Sequence, residues 1–150
     1  MAKPGVRPLS TFENRKLKYV LLANAHSRIT YAISKGFHIE AIALIESVLA
    51  DRLESAIHSV NPELRIKNAL GSVIKTAREL GVIKEDLANR LKIWHDARSK
   101  IIHEMVKLSE DVESTWNERL KFARQVALEG QILSKEIDKI VKKIKGTGKL

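Results

Sequence analysis

Between Trp94 and Met105 the chain reads W-H-D-A-R-S-K-I-I-H-E-M, and there an arginine, a hydroxyl and a histidine gather inside an apolar helical repeat. A guanidinium can bind a phosphate or carboxylate, and an imidazole can take up or release a proton near neutrality. Counting about 100° per residue, Leu87, Leu91, Trp94, Ile101, Ile102 and Met105 fall on one stripe of a helix, with Arg98 near its middle. That guanidinium cannot lose its proton, so on a buried face it needs a carboxylate, a phosphate or a protein partner. His103 comes five residues later, roughly 140° around the helix, and shares the polar side with Asp96 and Ser99.

A second charge interrupts a second stripe. Ile42, Ile45, Leu49, Leu53, Ile57 and Val60 form the apolar row of another helix, and Glu46 lies about 40° from its centre. Opposite charges embedded in two apolar stripes of one small chain imply a pair, because either one left alone and buried would cost several kcal/mol. Other chemistries find less support. Asp96, Ser99 and His103 imitate a hydrolase triad, but Asp96 and His103 are two turns apart, roughly 10 Å, too far to relay a proton. The five histidines form no His-x-x-x-His or Glu-x-x-His pair, there is no cysteine, and neither a P-loop nor G-x-G-x-x-G occurs. No metal site and no cofactor are expected.

The elements that must position these residues are all helices. Residues 1–9, with Pro4, Gly5 and Pro8, form an expected arm, and a Ser10-x-x-Glu13 capping box opens a helix that runs to about Lys35 and stops at Gly36. Tyr19, Ala23, His26, Thr30 and Ile33 continue a stripe along it, and His26 is expected as a satisfied core residue. The second helix spans about His38 to Val60 and ends at Asn61-Pro62; a shorter one carries Leu70, Val73, Ile74, Ala77 and Leu80 and ends at Gly81. The motif helix is expected from near Lys84 to about Leu108, with room for a break at His95 to Ala97. A Thr115-x-x-Glu118 box then opens a long helix to about Lys145. Its row of Trp116, Leu120, Ala123, Ala127, Gly130, Leu133, Ile137, Ile140 and Ile144 is close to a coiled-coil seam. This predicts an all-α, up-and-down bundle of about five helices, one domain over residues 10–145, with a basic tail at 146–150.

At 150 residues and 44% hydrophobic composition, the chain can build a single core. Its net charge of +9 is concentrated: residues 1–20 hold five basic residues against one acidic, and residues 135–150 hold six against two. Lysines so placed favour a phosphate-rich partner through counterion release, and Lys142, Lys143 and Lys145 are the candidate RNA-binding residues. The competing explanation is a solvated helix end. The absence of cysteine suits a reducing cytoplasm. The apolar run Tyr19 to Ala25 imitates a signal sequence, but it is short and continues a helical stripe, and nothing has the length of a membrane span.

The spacing of Arg98 and His103, with four residues between them, resembles the Arg-x4-6-His signature of the HEPN superfamily, many of whose members are metal-independent ribonucleases. The likeness extends to I-E-A-I-A-L-I-E-S-V-L in the second helix and A-L-G-S-V-I-K-T-A-R-E-L-G-V-I ahead of the motif helix. The position after the arginine, usually asparagine, aspartate or histidine in that family, is Ser99 here. The resemblance implies a HEPN-like fold and a cytoplasmic endoribonuclease, as in toxin–antitoxin and phage-defence systems. It makes Arg98 and His103 the catalytic pair, with Ser99 and Glu46 in support. The implied partners are RNA, a second copy of the chain forming a homodimer, and an antitoxin protein. In such enzymes the ribose 2′-hydroxyl attacks the adjacent phosphate. Two other classes remain open at this point: a non-catalytic HEPN-like adaptor that binds a protein or nucleotide, and a basic helical nucleic-acid binder acting through its termini.

Overall fold

A computed structural model describes residues 11–66, 69–107 and 115–147. Among these the chain is all-helical: α1 (Thr11–Ser34), α2 (His38–Val60), α3 (Leu70–Glu79), α4 (Glu85–Glu104) and α5 (Trp116–Thr147). The stops lie where the turn chemistry puts them. Gly36 and Gly81 take φ of 81° and 70°, the left-handed conformation that closes a helix. At each, the next residue reaches back five positions, Phe37 N to Ala32 O at 2.8 Å and Val82 N to Ala77 O at 2.9 Å, which satisfies a terminal carbonyl. At the start of α5 the Thr115 hydroxyl accepts from Glu118 N at 3.2 Å. The expected box at Ser10, the arm at 1–9 and Lys149 in the tail lie outside the described residues.

The centre of the molecule is α2, which packs against α1, α3 and α5. Lys18 pairs with Asp51 and Arg28 with Glu40, so α1 and α2 are antiparallel. Ile45 lies against Gly130 and Arg52 faces Asp138, so α2 and α5 run in the same direction. On α4, Trp94 bonds Val126 and the C-terminal carbonyls meet Arg119, which sets α4 antiparallel to α5. Val60, Leu80 and Gly81 line one cavity, so α2 and α3 end at the same place. The expected alternation of directions therefore fails at α3. Three of these helices, α2, α3 and α5, run one way against α1 and α4.

The buried rows of α2 and α5 follow their sequence periodicity, except at their ends. Ile42, Ile45, Leu49, Leu53 and Ile57 are buried, whereas Val60 is exposed; on α5 Ala123, Ala127, Leu133 and Ile137 are buried and Trp116 is exposed. On α3, Leu80 is exposed where a core position was expected. The first helix departs most. Tyr19, Ala23 and Thr30 are exposed, and the core takes Ile29 and Ala32, with Leu22, Ala25 and Ile33 partly buried against it. Apolar residues occur around much of α1, so periodicity alone does not select its inner face. No helix among the described residues is long and apolar enough to cross a membrane.

Candidate active site

One helix carries the motif without interruption, so the break for which the sequence left room at His95 to Ala97 does not occur, and α4 ends at Glu104 rather than near Leu108, which lies outside the described residues. Its position is fixed by Trp94, 2% exposed, whose indole N–H donates to Val126 O at 2.8 Å. That depth requires Gly130. A Cβ there would come within 2.7 Å of Trp94 Nε1 and 2.9 Å of Ile45 Cγ2. The missing side chain lets α2, α4 and α5 meet at one point, and this meeting sets the height of Arg98 one turn further along α4.

Arg98 and Glu46 form an ion pair within one chain, from guanidinium Nε to carboxylate Oε2. Their side chains are 24% and 22% exposed, so each is largely withdrawn from water while keeping an outlet to it. Arg98 Nε is itself buried and has no aligned hydrogen-bond acceptor, so its contact with Glu46 is one of charge. Leu91, Trp94 and Ile101 flank Arg98 as buried residues on the inner face, Met105 is half-buried, and Ile102 has turned outward.

His103 is exposed in the last turn of α4, and Ser99 is half-buried beside Arg98 in sequence. The end of this helix is capped from α5: Arg119 Nη1 donates to Glu104 O at 3.0 Å and to Met105 O at 2.6 Å. These bonds satisfy carbonyls that a helix terminus leaves open and fix the turn bearing His103. Arg98 and His103 thus occupy different sides of one straight helix, the first held inward by Glu46 and the second open to solvent.

Two further polar groups are withdrawn from water and were not among the candidates read from the sequence. Arg52 is the more deeply placed, with a side chain only 7% exposed. Its Nε and Nη2 both lie 3.4 Å from Asp51 Oδ2, and its Nη1 lies 4.0 Å from Asp138 Oδ1. It falls three residues after Leu49, in phase with the apolar row, so the reasoning applied to Glu46 would have found it. His38, at the start of α2, has a buried Nδ1 without a hydrogen-bond partner. Burial, and then the charge of Arg124, push its pKa below the usual histidine value. His26 is half-buried.

The candidate RNA-binding lysines do not share a face. Lys142 pairs with Asp138 at 2.9 Å, and Lys145 stands in the electrostatic field of Arg52 and Asp51. Lys143 instead lines the apolar cavity of about 430 Å³ formed with Val60, Val82, Ile83, Leu87 and Ile140. Among the described residues no three of histidine, aspartate and glutamate converge as a group able to hold a metal ion. Comparison of the chain with family models, with curated proteins and with solved structures finds no match.

Proposed function

We propose that this chain is a metal-independent endoribonuclease of the HEPN type, acting as the toxin of a toxin–antitoxin or phage-defence system. The observation that carries the reading is the placement of Arg98. A permanently charged guanidinium is drawn into the domain by Glu46, keeps contact with solvent, and stands five residues from an exposed histidine on an unbroken helix. Carboxylate and phosphate present similar oxygen geometry to a guanidinium, so a site that orients Arg98 through Glu46 is prepared for a phosphate approaching from the open side.

In the proposed reaction the ribose 2′-oxygen forms a bond to the adjacent phosphorus while the bond from phosphorus to the 5′-oxygen breaks. The products are a cyclic phosphate and a free 5′-hydroxyl. Arg98 stabilises the charge that grows on the phosphoryl oxygens, and His103 accepts the 2′-proton or returns one to the leaving oxygen. Because roughly 140° of helix and about 7.5 Å of rise separate the two positions, one protomer does not close both around a single phosphorus. A homodimer with paired α4 helices brings Arg98 of one copy to His103 of its partner, and Ser99 lies beside the arginine there.

The test uses one RNA oligonucleotide and a copy with a single 2′-deoxyribose at the cut site, each incubated with magnesium and with EDTA. Cutting of the all-ribose strand alone, equal in both buffers and ending in cyclic phosphate, is the expected result. Loss of cutting in EDTA, or undiminished cutting of the deoxy copy, overturns the mechanism. Purified wild-type protein that cuts no RNA in a total-RNA digest leaves the non-catalytic adaptor as the reading.

A further inference from the structure

Away from Arg98, three helices bring their cations together around Arg52. Lys18 on α1 pairs with Asp51, and Arg52 beside it on α2 faces Asp138 on α5. Lys142 on α5 holds the other oxygen of Asp138 at 2.9 Å. Lys145, one turn beyond Lys142, feels Arg52, Asp51, Lys18 and Arg15. Five cations, Arg15, Lys18, Arg52, Lys142 and Lys145, therefore share this surface with two carboxylates, Asp51 and Asp138.

Two features distinguish the cluster from scattered surface lysines. Its central cation is buried and loosely held: contacts of 3.4 and 4.0 Å are well beyond the roughly 2.7–2.9 Å of a tight charge-assisted hydrogen bond. The remaining cations form two short rows. Arg15 and Lys18 are three residues apart on α1, Lys142 and Lys145 three apart on α5, and Arg52 lies on α2 between them. Residues at this spacing project from one helix face about 4.5 Å apart along its axis. Burial first, and then the nearby Arg52, Lys18 and Arg15, push the Lys145 pKa below the usual lysine value against the opposing pull of Asp51.

We propose that the surface formed by Arg15 and Lys18 of α1 and Lys142 and Lys145 of α5, with the buried Arg52 of α2 beneath it, binds the phosphodiester backbone of single-stranded RNA. The choice of RNA as the strand rests on the ribonuclease reading; the site itself is separate from Arg98 and His103. Two cation rows suit a chain of phosphates, which can engage both and displace counterions from each. Lys143, between Lys142 and Lys145 in sequence, lines the apolar cavity and takes no part.

Binding is measured by fluorescence anisotropy on the full chain, with a labelled single-stranded RNA whose riboses are 2′-O-methylated and therefore cannot attack. Lys18→Ala combined with Lys145→Ala removes one cation from each row. The pair weakens binding on the order of tenfold and lowers the salt dependence of log Kd by about 1.4, near 0.7 for each lost phosphate contact. Lys35→Ala with Lys75→Ala removes the same charge elsewhere, and Lys143→Ala removes a sequence neighbour; both keep nearly wild-type affinity. Thermal melts confirm that every variant is folded. Equal losses in the control variants, or no binding of this RNA whatever other polyanion the protein takes, overturn the proposal. Intact binding through these rows with no cleavage by wild-type protein would sink the ribonuclease reading and leave this one standing.

Discussion

Two arginines interrupt apolar stripes in this protein, and they are held in different ways. Arg98 meets a single carboxylate, Glu46, and is about a quarter exposed; Arg52 is almost wholly buried between two carboxylates at longer range and is surrounded by further cations. A buried charge is tolerated only when paired, and both arginines satisfy that condition. The surroundings decide what each is available for. At Arg98 the inner-face neighbours are apolar and an exposed histidine, His103, follows five residues on, an arrangement suited to chemistry on one phosphate. At Arg52 the neighbours are lysines and arginines, an arrangement suited to holding a strand.

The largest effects expected from breaking this contrast are on activity. Under the proposed ribonuclease mechanism, His103→Ala reduces RNA cleavage by about a hundredfold to ten-thousandfold, the range for losing a general acid or base, while its folding free energy stays within about 0.5 kcal/mol of wild type. Arg98→Ala also abolishes cleavage. Single-turnover assays beside urea denaturation separate the two variants, and a His103→Ala protein that melts early would show that the histidine is structural. Arg52→Ala moves the other way: it destabilises the fold by about 3 kcal/mol through loss of a buried side chain and its packing, while Lys18 and Lys142 still hold Asp51 and Asp138. Arg98→Ala, at a more exposed pair, destabilises by less. If urea midpoints place Arg98→Ala below Arg52→Ala, burial is the wrong basis for ranking them.

A smaller effect tests the packing that sets the height of Arg98. Gly130→Ala destabilises by about 1–3 kcal/mol through overpacking against Trp94 and Ile45, although alanine is the better helix former by about 1 kcal/mol. Thermal and urea melts measure it; a net gain in stability would mean that the three helices separate at little cost. The smallest effect is at His38. Its folded pKa is lowered, so below the ordinary histidine value near 6.5 the unfolded chain binds the proton more readily than the native one. Stability therefore falls as pH drops through and below that value. His38→Asn flattens this part of the profile of urea midpoint against pH, and an unchanged slope would assign it to other groups.

Much of the fold could be read from local signals. Gly36, Gly81 and Asn61-Pro62 end helices because left-handed glycines and proline act on their own few residues, and the rows of α2 and α5 follow from a 3.6-residue period. The meeting of Glu46 with Arg98 was also foreseeable, since two lone opposite charges in apolar stripes of a small domain have few other ways to be satisfied. The same logic applies to Arg52, which falls in phase with the apolar row of α2 but was not among the sequence candidates. Only the packed molecule decided that α3 runs parallel to α2, and that Lys143 lines a cavity while Lys145 comes into the field of Arg52, Lys18 and Arg15. It also chose the inner face of α1, where apolar residues occur on more than one side. Such choices depend on which helices become neighbours, and that is set by burial and close approach between residues far apart in the chain, as at Ile45, Trp94 and Gly130, rather than by the periodicity of any one segment.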